Sequence, residues 1–131
     1  MPLSEFILDV SEVTFETQVI LKSHEVPVVV DFWAPWCGPC RGFAPLFEKA
    51  SDAHADVVFA KVKTDEQQEL AGAFNIRSIP TLMVFREQVV VFQQPGALPA
   101  SALEQVLSQA KALDMEQVRQ EIAASEKSAA E

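Results

Sequence analysis

The chain has only two cysteines, two histidines and four glycines among its 131 residues, and it has few basic residues. Two cysteines are too few for a disulfide-built scaffold. They also make a poor zinc site, because four ligands are the rule and His24 and His54 fit no standard finger spacing with them. Ten Lys and Arg against nineteen Asp and Glu give a formal net charge of −9. That balance excludes a basic footprint for nucleic acid or for an anionic membrane surface. No apolar run approaches the roughly 20 residues a bilayer span requires. Met1-Pro2-Leu3-Ser4-Glu5 places an acid where a secretory signal would carry a basic stretch, and no apolar stretch follows. The expectation is a cytoplasmic protein.

A chain of this length buries about 68–70% of the surface it would expose unfolded, so it holds one core without a metal or a disulfide. The cysteines are therefore free for chemistry. They stand as a pair, Cys37-Gly38-Pro39-Cys40, after the apolar run Val28-Val29-Val30-Asp31-Phe32-Trp33. A reducing compartment keeps most thiols reduced, which favours a reactive pair over a structural bridge. The bridge would also close a very short loop and remove little chain entropy.

The hydrophobic pattern places this pair at a strand-to-helix turn. Phe6 to Val10 reads as a first strand. Ser11 or Thr14 caps a helix carrying Phe15, Val19 and Ile20. Residues 28–33 form a central strand covered on both faces. The next helix starts at or just after Cys37 and carries Phe43, Leu46, Phe47 and Ala50, with Pro45 inside it as an expected kink. Gly42 in that helix weakens it. Val57 to Val62 is a strand, and Thr64-Asp65 leads into a short helix with Leu70, Ala71 and Phe74. Thr81–Phe85 and Val89–Phe92 form a hairpin whose turn, Arg86-Glu87-Gln88, lacks Gly and Asn and is expected to be loose or bulged. Leu103, Val106, Leu107 and Ala110 mark an amphipathic helix. The order is βαβαβαββα, an α/β arrangement with a central mixed sheet of about five strands and helices on both faces. Residues 1–113 form the domain. Residues 114–131 form a C-terminal extension, helical through Met115, Val118 and Ile122, with a capping box at Asp114 and Gln117 and fraying from Ser125 onward.

Val30-Asp31-Phe32-Trp33-Ala34-Pro35-Trp36-Cys37-Gly38-Pro39-Cys40 closely resembles the active-site segment of thioredoxins. Ala60-Lys61-Val62-Lys63-Thr64-Asp65 is similar to the family's third strand. Ile76-Arg77-Ser78-Ile79-Pro80-Thr81-Leu82 is similar to its cis-proline loop, and Pro95-Gly96-Ala97 to its late glycine turn. The resemblance covers roughly residues 5–113 and rests on four blocks in family order. The extension lies outside it, and Glu87-Gln88 stands where the family often has Asn-Gly.

The resemblance implies the thioredoxin fold and a dithiol–disulfide oxidoreductase acting on protein disulfides. Cys37 is then the nucleophile. A helix N-terminus favours its thiolate through unpaired N–H groups and the macrodipole. Thioredoxins are themselves a reference case for such tuning, which is therefore implied by the resemblance. Cys40, one helical turn on, resolves the mixed disulfide. Asp31 is a carboxylate among apolar neighbours, whose pKa desolvation raises; by resemblance it lies behind Cys40 and exchanges its proton, with Lys61 as its modulating neighbour. Pro80 follows a cis bond from Ile79, leaving the Ile79 backbone free to pair with an extended substrate. Trp36, Gly38, Pro39, Ile79, Pro80, Gly96 and Ala97 form the surface that receives substrate. Trp33 reads as supporting packing. His24 and His54 read as ordinary surface or helix-end residues. The resemblance further implies no bound cofactor and no metal, a monomer, and electrons from NADPH through a thioredoxin reductase. The competing reading is a binding or chaperone-type module acting through the extension.

Overall fold

The computed structural model describes residues 7–130; Phe6, expected in the first strand, lies outside them. Five strands form one mixed sheet: β1 (Ile7–Asp9), β2 (Val28–Trp33), β3 (Val58–Lys63), β4 (Thr81–Arg86) and β5 (Val89–Pro95). Their spatial order is β1-β3-β2-β4-β5. β1, β3 and β2 run parallel, while β4 is antiparallel to both β2 and β5. Among the described residues, four α-helices accompany the sheet: α1 (Gly38–Ala53), α2 (Gln68–Ala73), α3 (Ala100–Ala112) and α4 (Met115–Ala130).

Strand alternation splits the core into two layers. Val29, Phe59, Leu82 and Val84 pack on Phe43 and Phe47 of α1 and Leu103 and Leu107 of α3. Val28, Val30, Phe32, Met83 and Phe85 face the other way, onto Phe15 and Val19, with Leu70 and Phe74 alongside. β2 is buried from both sides, which is why its sequence is apolar almost throughout. Asp31 is the exception, and its parity with Val29 puts it on the α1/α3 face.

The first helical segment differs from the expected regular helix. Glu16–Leu21 is π-helical and Lys22–His24 is a 3₁₀ turn. Its own N-cap, Phe15, makes no side-chain cap bond, and the two candidates Ser11 and Thr14 instead close the turn that leads into it. The Thr14 hydroxyl accepts from the Ser11 N–H (3.0 Å), and the Ser11 hydroxyl accepts from the Thr14 N–H (3.3 Å). α2 has no capping side chain of its own. Glu12 supplies one from outside, its carboxylate accepting the Leu70 N–H at 3.1 Å.

The hairpin also differs. Arg86 pairs with Val89, so Glu87-Gln88 is a tight two-residue turn, with φ of 50° and 68°. These are the left-handed angles such turns require and that non-glycine residues resist. Buried Ser23 holds the turn. Its carbonyl accepts the Glu87 N–H and its hydroxyl accepts the Gln88 N–H, each at 2.8 Å. The irregularity lies further down, where the register shifts between Val84 and Phe85 and leaves Val91 as the extra residue.

Pro45 sits inside α1, which continues across it to Ala53. His54, expected as an ordinary surface or helix-end residue, does stand at the end of α1, and it also joins that end to α3. Its Nε2 lies 2.8 Å from Glu104, and Lys111 donates to its Nδ1 at 2.8 Å. The Arg86 guanidinium donates to the carbonyls of Ala110 (3.0 Å) and Leu113 (2.9 Å) at the end of α3. α4 begins on Asp114, whose carboxylate accepts the N–H groups of Glu116 and Gln117. The capping box is half made, because the Gln117 side chain turns to Glu121 instead. Met115 is buried, Val118 half-buried and Ile122 exposed. Arg119 pairs with Glu87. The helix runs on to Ala130, through the stretch expected to fray from Ser125. Among the described residues no helix is long and apolar enough to cross a membrane.

Candidate active site

β2 ends at Trp33, and the chain then turns through Ala34, Pro35 and Trp36 into α1. The Cys37 N–H donates to the Ala34 carbonyl (3.2 Å), which closes this turn. Cys37 is the N-cap of α1, with an extended backbone at φ −85° and ψ 115°. Its Sγ therefore occupies the place a capping oxygen would take, and the Cys40 N–H donates to it at 3.2 Å. Proline at the second helical position sacrifices no intrahelical bond. Cys37 and Cys40 are joined as a disulfide, with Cα atoms 5.2 Å apart.

The sulfurs sit at the mouth of a small apolar cluster of Ala34, Cys37 and Cys40, against which Trp33 and Ile79 pack. The Ile79 carbonyl oxygen lies 3.7 Å from Cys37 Sγ. The Ile79–Pro80 peptide is cis, and Pro80 is buried. The Pro80 carbonyl accepts the Gly96 N–H at 2.7 Å, which brings the end of β5 to the same place. Gly96 has φ +98°, a backbone that other residues rarely adopt. Around this point Trp36 is 70% exposed, and Gly38, Pro39, Gly96 and Ala97 are exposed as well. The cysteine block thus meets the Ile79-Pro80 block, to which the Gly96 turn is itself bonded.

Asp31 lies in the strand leading to the cysteines and is wholly buried. Neither carboxylate oxygen has a hydrogen-bond partner among the described residues. Burial raises its pKa from 3.8 to about 7, and the positive charge of Lys61 opposes that rise. Lys61 is its register partner on β3. The Lys61 ammonium lies 4.4 Å from the centroid of the Trp33 ring.

Three supporting residues were not singled out by the sequence. Ala34 is fully buried beneath the cysteines. Thr64 fixes the end of β2, donating from both its N–H (2.8 Å) and its hydroxyl (3.1 Å) to the Trp33 carbonyl. The ammonium of Lys63 stands 5.9 Å from the Trp33 ring centroid. Lys63 was legible in principle, since two residues on from Lys61 in a strand means the same face.

The thioredoxin family model matches residues 6–109. A Streptomyces coelicolor protein described as putative thioredoxin 2 is 60% identical over 96 residues, covering 73% of this chain and 72% of that protein. Thioredoxin 1 of Synechococcus elongatus is 44% identical over 99 residues, covering 75% and 91%. The crystal structure of Malassezia sympodialis thioredoxin superposes with a TM-score of 0.72 at 36% identity, covering 81% of this chain and 91% of that one. With its fold, its cysteine pair at a helix N-terminus and these likenesses in agreement, the chain belongs to the thioredoxin family and is a dithiol–disulfide oxidoreductase that reduces disulfides in protein substrates.

Proposed function

We propose that Cys37 attacks the substrate disulfide and Cys40 resolves the product, with Asp31 as the proton acceptor. In the reduced protein the Cys37 thiolate attacks one sulfur of a substrate disulfide. That bond breaks, the Cys37–substrate bond forms, and the first substrate sulfur leaves as a thiolate and takes a proton. Cys40 passes its proton to the Asp31 carboxylate and attacks Cys37 Sγ. The second substrate sulfur leaves, and the protein is left as the Cys37–Cys40 disulfide, oxidised by two electrons. Lys61 keeps Asp31 ionised often enough to serve near neutral pH.

The observation that carries this reading is the position of Cys37. Its sulfur accepts an N–H at the start of a 16-residue helix, where a negative charge is favoured. Trp36, Gly38, Pro39, Ile79, Pro80, Gly96 and Ala97 form the shallow surface on which an extended substrate segment lies. Backbone pairing to Ile79 gives affinity without demanding a particular sequence. The protein acts as a cytoplasmic monomer and is recharged by a flavin-dependent thioredoxin reductase that draws on NADPH.

An NADPH-coupled insulin-reduction assay with a thioredoxin reductase tests this directly. Turnover is expected from the native chain and none from Cys37→Ser. Turnover by Cys37→Ser would assign the attack to another group.

A further inference from the structure

Lys61 and Lys63 point to one face of β3, beside Asp31 and Trp33 of β2, their respective register partners. Both ammonium groups share the Trp33 ring, at 4.4 Å and 5.9 Å from its centroid. They are not held alike. Lys63 pairs with Glu66 at 3.2 Å, whereas Lys61 forms no ion pair among the described residues. Lys61 therefore has the indole face as its main support. It also has somewhere else to go. A cleft of about 370 Å³, lined by Asp9, Ser11, Trp33, Lys61, Lys63 and Glu66 among others, opens beside the ring. Asp9 on β1 is the register partner of Lys61 on the side away from Asp31.

The charged groups that share this face and its cleft are thus Asp9 from β1, Lys61 and Lys63 from β3, and Glu66 from the segment after β3; the two cysteines of α1 are the titratable groups that the proposed reaction adds. Asp9 and Asp31 flank Lys61 in register, one on each neighbouring strand. Like charges on adjacent side chains of one face repel, so the Lys63 ammonium beside Trp33 disfavours movement of the Lys61 ammonium toward it.

We propose that Lys63, paired with Glu66 beside Trp33, is a positioning residue for proton transfer at Cys40, because it confines the Lys61 ammonium to the Asp31 side of the indole. This rests on the reading of Asp31 as the group that takes the Cys40 proton. Removing Lys63 frees Lys61 to relax toward Asp9. Asp31 then loses its nearest positive charge and binds its proton more tightly, so Cys40 is deprotonated only at higher pH.

The test is the pH profile of a single resolving step. Cys37 is loaded with a chromogenic aromatic thiol as a mixed disulfide, and its release by Cys40 is followed in stopped flow. Lys63→Met is expected to raise the midpoint by roughly half a unit, which slows release about threefold below the midpoint. Lys63→Arg keeps the native midpoint. In a Lys61→Met background Lys63→Met changes nothing further, since it acts through Lys61. An unmoved midpoint in Lys63→Met overturns the proposal. So does an equal shift in the Lys61→Met background, which would make Lys63 a direct charge. Asp31→Asn separates the two levels: if it leaves the profile as it was, the role given to Asp31 fails, whatever Lys63 does.

Discussion

Asp31 stands opposite Lys61 on the neighbouring parallel strand, yet neither oxygen of its buried carboxylate has a hydrogen-bond partner among the described residues. A buried polar group without a partner costs stability, and a folded protein keeps one only where something else is gained. Here the gain we propose is a carboxyl group poised near neutrality in the strand that leads to the cysteine pair.

The cost appears in the pH dependence of folding. The folded pKa of Asp31 is about 7, above its ordinary 3.8, so between these values the folded state holds more protons than the unfolded one. Stability from this group is full below pH 3.8 and is lost as pH rises through about 7. A shift of this size corresponds to about 4 kcal/mol. Asp31→Asn is therefore expected to stabilise the oxidised protein by several kcal/mol at pH 8 and by little at pH 4. Urea unfolding at both pH values checks this; equal effects at the two would remove the desolvation argument.

The two cysteines should fail in different ways. Cys37→Ser has no attacking sulfur and is expected to lose insulin reduction altogether. Cys40→Ser still attacks but cannot resolve, so it accumulates mixed disulfides with protein substrates. Non-reducing gels and mass spectrometry distinguish the two, and mixed disulfides formed by Cys37→Ser would reverse the assignment.

Much of this site is legible in the chain because the chemistry sits in contiguous blocks. Trp36 to Cys40 carries the cysteines and the helix start together, and the cis bond at Ile79-Pro80 was legible only through the family resemblance of its block, since an X-Pro pair alone does not mark one. The two-sided burial of β2 is written in Val28 to Phe32. What could not be read depends on partners distant in sequence. Glu87-Gln88 looks like a poor tight turn until Ser23, more than sixty residues earlier, supplies both of its bonds. His54 looks idle until Glu104 and Lys111 of α3 reach it. The π-helical stretch from Glu16 has an ordinary amphipathic pattern, which cannot distinguish a wider helix from a regular one.

Two local conflicts predict gains in stability. Gly42 lies on the exposed side of α1, and a Cβ built there meets nothing within 4 Å. Gly42→Ala should stabilise by about 0.8–1 kcal/mol. Gln88 is exposed at φ 68°. Gln88→Gly relieves that angle and should stabilise by roughly 0.5–1 kcal/mol. Denaturant midpoints measure both; a loss of stability in Gln88→Gly would mean that its side chain, and not only its backbone, serves the turn.

The extension should matter to stability and not to catalysis. Met115 is buried and Arg119 pairs with Glu87, at the hairpin end of the sheet and not at the cysteines. Deleting residues 114–131 is expected to lower the thermal midpoint while leaving the insulin-reduction rate per folded molecule unchanged. A large loss of rate would make α4 part of the functional surface.

The most direct measurement is alkylation of the reduced protein with iodoacetamide across pH, each cysteine read separately by mass spectrometry. Cys37 should react near neutral pH with an apparent pKa below that of a free thiol, while Cys40, deeper in the helix, stays unmodified. Equal and slow labelling of both sulfurs, with no ionisation below the ordinary thiol range, would contradict the assignment of Cys37 as the attacking group.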